Sequence, residues 1–129
     1  MNGATAQALA GTEDAYGPFW SPDSRSIGFF ARDKLVRIDA SGGAPLRLAD
    51  ALHGRGGAWG LNGTILYAPN TRGPLYRVEA SGGTPQPATK LDAAAKQIVH
   101  RWPQFLPDGE HFLYFAPSPL GGSRHLQVP

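Results

Sequence analysis

Three short apolar stretches recur along the chain, each flanked by segments rich in glycine and proline. They cover residues 27–31, 65–68 and 112–116. None alternates between apolar and polar residues, so we expect strands that are covered on both faces. The next segment does alternate, because Val36 and Ile38 are separated by Arg37 and followed by Asp39. The pattern therefore predicts antiparallel hairpins that run from a buried strand to a half-exposed one.

The same signals return at a long, regular interval. Ala40-Ser-Gly-Gly recurs as Ala80-Ser-Gly-Gly, and the turn that begins Trp20-Ser-Pro-Asp-Ser recurs after 39 residues and again after a further 46. Proline and aspartate or asparagine followed by glycine favour tight turns. We interpret the recurring positions as structural: Trp20, Pro22, Asp23, Gly42, Gly43, Trp59, Asn62, Gly63, Gly82, Gly83, Phe105, Pro107, Asp108 and Gly109. A period of roughly 40–45 residues with this content is typical of β-propeller blades.

Composition supports a turn-dense, folded chain. Gly 17 and Pro 12 are frequent among the 129 residues, charged residues are only 17%, and aromatic residues reach 10%. Glycine and proline disfavour long helices, and a disordered chain would carry more charge and fewer aromatic residues. The formal net charge is +2 and no basic run occurs, so nucleic acid is not an expected partner. No apolar run is long enough for a membrane segment.

The expected fold class is all-β, a partial β-propeller of four-stranded antiparallel blades. Residues 6–10 fit the outer strand of a missing blade, residues 18–49 and 57–88 fit two blades, and residues 102–129 fit an incomplete third. In that third blade, residues 126–128 match residues 36–38 in pattern. The sum is about two and three-quarter blades in an open arc, whereas propellers close with roughly four to eight. A β-sandwich or barrel would not give the repeat.

An open arc has consequences for partners. Both end sheets are expected to expose an apolar face, which invites association. The expected partners are therefore the missing blades of a parent propeller or other copies of this chain, together with an unidentified protein or small ligand.

The repeat resembles that of the TolB-type, WD-like β-propellers, over about residues 6–128. The resemblance rests on the aromatic-Ser-Pro-Asp turn at residues 20–24, the strands at residues 27–30 and 35–39, and Ser41-Gly-Gly. Two departures occur, because Ser24 replaces the turn glycine and Gly60-Leu61 replaces Ser-Pro. The longer phrases at residues 55–59, 68–70, 73–77 and 100–109 are similar to the propeller sensor regions of bacterial receptor-like serine/threonine kinases.

The resemblance implies a non-catalytic binding or interaction module, a fragment of a larger propeller that acts as the sensor or scaffold of a kinase-associated protein. If the parent is membrane-anchored, it also implies an extracytoplasmic or periplasmic location. Two alternatives remain open, namely the accessory propeller of a prolyl-oligopeptidase-like hydrolase and a purely structural set of blades.

One candidate binding site follows from aligning the repeats. Tyr16, Arg55 and Arg101 each lie four residues before the aromatic that ends the first strand, and His53 and His100 lie in the same connectors. First strands line the propeller channel, so these residues are expected at its rim. Two arginines there would suit a carboxylate or phosphate. Alternatively, the arginines pair with Glu13, Asp14, Asp50 or a backbone carbonyl.

Other chemistry lacks a pattern in the sequence. No serine lies in a Gly-x-Ser-x-Gly elbow, the chain has no cysteine, and its four histidines show no metal-ligand spacing. Residues 54–59 replace the last glycine of a dinucleotide loop by Trp59. We therefore expect no catalytic residue, no metal and no cofactor, with any enzymatic activity in a further domain such as a kinase or hydrolase.

Overall fold

The computed structural model describes residues 6, 8–119 and 123–127. Within them the chain forms three antiparallel sheets and no helix, so none of the described residues belongs to a helix that could cross a membrane. Blade 1 contains β1 Tyr16–Trp20, β2 Ser26–Ala31, β3 Lys34–Asp39 and β4 Leu46–Asp50. Blade 2 contains β5 Gly57–Trp59, β6 Thr64–Tyr67, β7 Tyr76–Glu79 and β8 Gln86–Pro87. Blade 3 contains β9 Arg101–Phe105, β10 Phe112–Ala116 and β11 Ser123–Gln127.

Each sheet is a simple meander in which every strand pairs with the next one along the chain. The first strands of the three sheets lie side by side, because β5 contacts both β1 and β9. Sheets that share an inner edge and fan outwards have the architecture of propeller blades. The predicted all-β partial propeller is confirmed. The blade limits and the assignment of residues 6–10 to a preceding blade stay predictions, and the described residues 6 and 8–10 lie in no strand.

The turn between the first two strands of each blade needs a left-handed residue. Gly63 and Gly109 supply it in blades 2 and 3, with φ of 87° and 73°. Ser24 takes this position in blade 1 with φ of 60°. Asp23 Oδ1 accepts hydrogen bonds from the Ser21 hydroxyl at 2.6 Å and from the Arg25 amide at 2.9 Å. The amide bond recurs in the other two turns, whereas the bond from Ser21 is particular to blade 1, because Gly60 and Leu106 occupy its position in blades 2 and 3.

Adjacent blades pack through the two faces of the second strands. Ile65 and Tyr67 of β6 pack towards blade 1, whereas Leu66 and Ala68 pack towards blade 3. Because side chains alternate along a strand, covering both faces requires apolar residues throughout. The interface of blades 1 and 2 buries Phe30, Leu35, Leu48, Ile65, Tyr67 and Val78. The interface of blades 2 and 3 buries Leu66, Leu75, Phe112, Tyr114 and Ala116.

The outward face of blade 1 is covered, so the expectation of an exposed apolar face at this end is wrong. Phe29, Val36 and Ile38 are buried there, and Leu9 packs against them. The N-terminal segment follows the sheet further, since a Cβ placed on Gly11 would lie 2.6 Å from Pro45 Cγ. The N-terminal segment therefore packs on the outward face of blade 1.

The register of β11 differs from the sequence match of residues 126–128 with residues 36–38. Leu126 pairs with Leu113, as Arg37 pairs with Gly28 and Arg77 with Leu66. The match would have placed Gln127 at the arginine position, so it is wrong by one residue. Leu126 therefore stands where the other two blades carry an arginine.

Arg37 joins blades 1 and 2. Its guanidinium donates to Ala80 O at 2.8 Å and to Ser26 Oγ at 3.3 Å, and lies 5.0 Å from the centre of the Trp59 ring. Replacing Arg37 by alanine should lower the free energy of unfolding by about 1–3 kcal/mol, because it removes charge-assisted hydrogen bonds and a cation–π contact.

Arg77 is the matched control for this prediction. It occupies the same ladder position in blade 2, is exposed, and lines a cavity of about 330 Å³ against blade 3. Its replacement by alanine should change the free energy of unfolding by less than about 0.5 kcal/mol. Equal losses for the two variants in urea denaturation would show that Arg37 does not join the blades.

The buried hydroxyl of Tyr67 predicts a loss of stability at alkaline pH. Burial, helped by the nearby Tyr76 and Asp50, raises the pKa of Tyr67 to about 12. In the unfolded chain the phenol ionises near pH 10. Between about pH 10 and about pH 12 the unfolded state holds fewer protons than the folded state, so stability falls as the pH rises.

Thermal melts across this range would test the prediction against Tyr67→Phe. The variant should lose less stability than the parent, although Tyr114, whose pKa burial also raises, keeps part of the dependence. Parallel curves for the two proteins would contradict the prediction.

Candidate ligand-binding site at the inner strands

Tyr16 joins the inner strand of blade 1 to the segment that enters blade 2. Its hydroxyl accepts a hydrogen bond from the Gly54 amide at 3.0 Å, and its ring stacks on Phe30 with centroids 5.7 Å apart. Both contacts hold the exposed tyrosine at the start of β1. Tyr16 therefore contacts the residue that directly precedes Arg55 in the chain.

Arg55 connects blades 2 and 3 through its backbone. Its amide donates to Ala68 O at 2.8 Å, and its carbonyl accepts from the Trp102 amide at 2.9 Å. Its guanidinium Nη1 donates to Gly54 O at 3.0 Å. Of the alternatives drawn from the sequence, the backbone carbonyl is the partner that Arg55 takes.

The carboxylates named as alternative partners bond other groups. Asp14 Oδ2 lies 3.6 Å from Arg32 Nε, and Asp50 pairs with Lys34. Glu13 accepts a hydrogen bond from the Gly11 amide at 3.0 Å. Among the described residues these acidic groups therefore leave the positive charge of Arg55 and Arg101 uncompensated by an ion pair.

Arg101 opens β9 and pairs with Phe115 of β10. The side chain is half-buried, and its Nε is buried without a hydrogen-bond partner among the described residues. A buried donor without a partner costs free energy unless water or a ligand satisfies it.

The two histidines lie in different surroundings. His53 is exposed, and its amide donates to Pro69 O at 3.0 Å. His100 is 1% exposed, and its ring nitrogens lie 2.7 Å from Thr89 Oγ1 and from Gln97 Oε1. His100 therefore anchors the connector into blade 3 from the interior. Its role in binding stays a prediction, as do those of Tyr16, His53, Arg55 and Arg101.

The inner strands enclose a groove that the sequence did not indicate. It has a volume of about 280 Å³ and is called the inner groove below. Its lining residues are Gly17, Pro18, Gly56, Gly57, Trp102, Pro103 and Gln104, drawn from all three blades. Trp102 is 47% exposed, although aromatic residues of its size are usually highly buried. The repeat did not indicate a role for Trp102, because the equivalent residues of the other two blades are Gly17 and Gly56.

A metal centre has no support among the described residues. Within the part of the chain that the structure describes, no group of three or more histidine, aspartate or glutamate side chains lies close enough to hold an ion. His111 instead bonds Asp108 within its own turn, and the Glu110 and His111 amides donate to the same carboxylate. These bonds lower the pKa of Asp108 to about 2. This aspartate therefore serves the turn.

Comparison with solved structures decides the fold. A TolB protein of Agrobacterium tumefaciens superposes with a TM-score of 0.71 at 19% identity, over 88% of this chain and 42% of its own. The chain has a TolB-like propeller fold. TolB of Acinetobacter baumannii gives a TM-score of 0.69 at 17% identity, over 88% of this chain and 29% of its own.

A third solved propeller is more distant. Virginiamycin B lyase of Staphylococcus aureus gives a TM-score of 0.59 at 13% identity, over 94% of this chain and 43% of its own. The chain thus spans less than half the length of each of these three proteins. No protein-family model matches the sequence, and neither does any curated protein.

Proposed function

We propose that this chain is a non-catalytic binding module, an arc of a larger TolB-like propeller that presents the inner groove to a protein or small ligand. The observation that carries the proposal is the unpaired face of blade 3. Phe112, Tyr114 and Ala116 pack towards blade 2, so Leu113 and Phe115 point the opposite way. Leu126 lies opposite Leu113 and is 61% exposed. We call these three residues the open face.

The open face uses the same positions as the two closed interfaces. In blade 1 the residues at these positions are Gly28 and Phe30, and in blade 2 they are Leu66 and Ala68. Phe30 packs against blade 2, and Leu66 and Ala68 pack against blade 3. A leucine in place of the arginine makes the open face more apolar than either of its counterparts. The side chains of the open face point out of the sheet and not along its edge, so the partner that fits this face is another blade packed sheet to sheet.

The finer assignment is to the sensor or scaffold part of a bacterial kinase-associated protein. It is supported by the sequence phrases at residues 55–59 and 100–109, which resemble kinase-attached propellers. Sequencing the gene around this segment tests it. A kinase domain with an Asp-Phe-Gly motif and a membrane segment would support the assignment, whereas a Gly-x-Ser-x-Gly motif downstream would overturn it in favour of a hydrolase.

Self-association of the chain tests whether the open face binds another blade. Light scattering coupled to size-exclusion chromatography should show a mass that rises with concentration for the parent chain. Leu126→Lys should remain a monomer with an unchanged melting temperature, because this leucine is already exposed. Leu52→Lys is the matched control, since Leu52 is 55% exposed in a connector. A parent chain that stays monomeric at all concentrations, or equal effects of the two lysines, would refute the proposal.

A further inference from the structure

The arginines at the same ladder position of blades 1 and 2 differ in what they contact. Arg37 fills the gap between blades 1 and 2, where it bonds Ala80 O and lies on the Trp59 ring. Within the described part of the chain, the Arg77 side chain makes no hydrogen bond, ion pair or cation–π contact. The guanidinium of Arg77 is therefore available to a ligand.

Arg77 lines a cavity of about 330 Å³ between blades 2 and 3, called the interblade cavity below. This volume lies at the lower end of the range for small-molecule sites, roughly 300–1,000 Å³. The cavity shares no lining residue with the inner groove and contains no residue of the open face. It is therefore a separate candidate site.

One wall of the interblade cavity is apolar. Leu66 is buried there, and Ala88 and Phe105 are partly buried against the same cluster. The Phe105 ring occupies the position of Trp59 in blade 2, but no arginine lies over it. The exposed parts of Ala88 and Phe105 would therefore be covered by an apolar group of a ligand.

The other lining groups include two opposite charges, one from each blade. Arg77 lies in β7, and Glu110 lies in the turn between β9 and β10. The Glu110 amide donates to Asp108 Oδ1 at 2.9 Å, and its carboxylate joins none of the ion pairs among the described residues. Glu79, the acidic residue of β7, does not line the cavity and accepts a hydrogen bond from the Thr64 hydroxyl at 3.2 Å.

These charges select against ligands that carry a single charge. An anion would be attracted by Arg77 and repelled by Glu110, and a cation would meet the reverse. A small zwitterion satisfies both groups at once. Together with the apolar wall, the charges match a molecule that carries a carboxylate, an ammonium group and an apolar side chain.

We propose that the interblade cavity binds a free α-amino acid with an apolar side chain. The Arg77 guanidinium holds the carboxylate, a geometry that suits its planar fork, and the Glu110 carboxylate accepts hydrogen bonds from the ammonium group. The apolar side chain packs on Phe105 and Leu66. Amino-acid binding and self-association can fail separately, because the first depends on this cavity and the second on the open face.

L-Phenylalanine is the probe, titrated into the whole chain and followed by ligand-observed NMR. Three relatives each lack one recognised group: 3-phenylpropanoate lacks the ammonium group, 2-phenylethylamine lacks the carboxylate, and glycine lacks the apolar side chain. Each should bind at least about tenfold more weakly than L-phenylalanine. Absence of L-phenylalanine binding, or equal affinity for L-phenylalanine and 3-phenylpropanoate, would overturn the proposal.

Variants of the two charged residues should have opposite effects on the singly charged relatives. Glu110→Gln should weaken L-phenylalanine binding about tenfold and strengthen 3-phenylpropanoate binding, because it removes the repulsion of the carboxylate. Arg77→Gln should also weaken L-phenylalanine binding about tenfold, but it should strengthen 2-phenylethylamine binding. Both side chains are exposed, so the melting temperature should stay near that of the parent.

Arg47→Gln is the matched control, since Arg47 is an exposed arginine of β4 outside the cavity. It should leave the affinity for all four ligands unchanged. Equal effects of Arg47→Gln and Arg77→Gln would show that Arg77 acts only through the net charge of the protein. That result would overturn the proposal, as would variants of Arg77 and Glu110 that change 3-phenylpropanoate binding in the same direction.

Discussion

Replacing Phe30 by alanine is expected to lower the free energy of unfolding by about 3–5 kcal/mol, the range for a buried phenylalanine that leaves a cavity. Phe30 is fully buried between blades 1 and 2. It contacts the rings of Tyr16 and Phe19. Its own ring packs on Gly54, because a Cβ placed on that glycine would be only 2.4 Å from Phe30 Cδ1. The side chain therefore fills the centre of the interface and supports the tyrosine at the inner strand.

Urea denaturation of Phe30→Ala and of Leu52→Ala measures this effect. Leu52 is a large apolar residue that is mostly exposed, so its truncation should cost less than about 0.5 kcal/mol. Small domains are stable by only about 5–15 kcal/mol, and the phenylalanine variant should therefore be largely unfolded under mild denaturing conditions. A cost for Phe30→Ala as small as that for Leu52→Ala would show that the blades do not pack here.

Replacing Gly57 by alanine is expected to cost about 1–3 kcal/mol through overpacking. The Phe19 ring of blade 1 lies directly on this glycine, and an added Cβ would be 2.4 Å from Cε1 and 2.7 Å from Cζ. Gly57 does not have a positive φ, so the cost measures the contact between blades and not backbone strain. The same ring also covers Gly28 in its own sheet, at 2.3 Å.

A double-mutant cycle isolates the contact. In a Phe19→Leu background the smaller side chain leaves room for the methyl group, so Gly57→Ala should cost less there than in the parent. Thermal or urea unfolding of the four proteins gives the coupling energy. A cost that is the same in both backgrounds would mean that Phe19 does not lie on Gly57.

Much of the fold could be predicted because apolar runs and turns repeat in phase. The continuous apolar character of residues 65–68 correctly indicated a strand covered on both faces, since Ile65 and Leu66 contact different blades. Ser24 was visible as a departure from the turn pattern. The structure shows what this turn has in addition, which is the hydrogen bond from the Ser21 hydroxyl to Asp23 beside the left-handed Ser24.

The sequence was less informative where contacts are not periodic. Leu9 covers blade 1 from a segment without strand pairing, and no repeat could indicate that it folds back over Phe29. His100 lies in a connector, yet Thr89 and Gln97 bond its ring and hold it in the interior. Trp102 was missed for the opposite reason, because a left-handed backbone is normally signalled by glycine.

Amide hydrogen exchange, resolved by strand, tests most directly whether blade 3 ends the arc with an uncovered face. Strand β6 is covered by a blade on each side, and Ile65, Leu66 and Tyr67 are all buried. Strand β11 is the outer edge of blade 3, and its Leu126 side chain is exposed. If blade 3 ends the arc with an uncovered face, β6 amides should exchange slowest and β11 amides should exchange far faster in the monomeric chain. Exchange in β11 as slow as in β6 would contradict it, because the last blade would then be as fully covered as the central one.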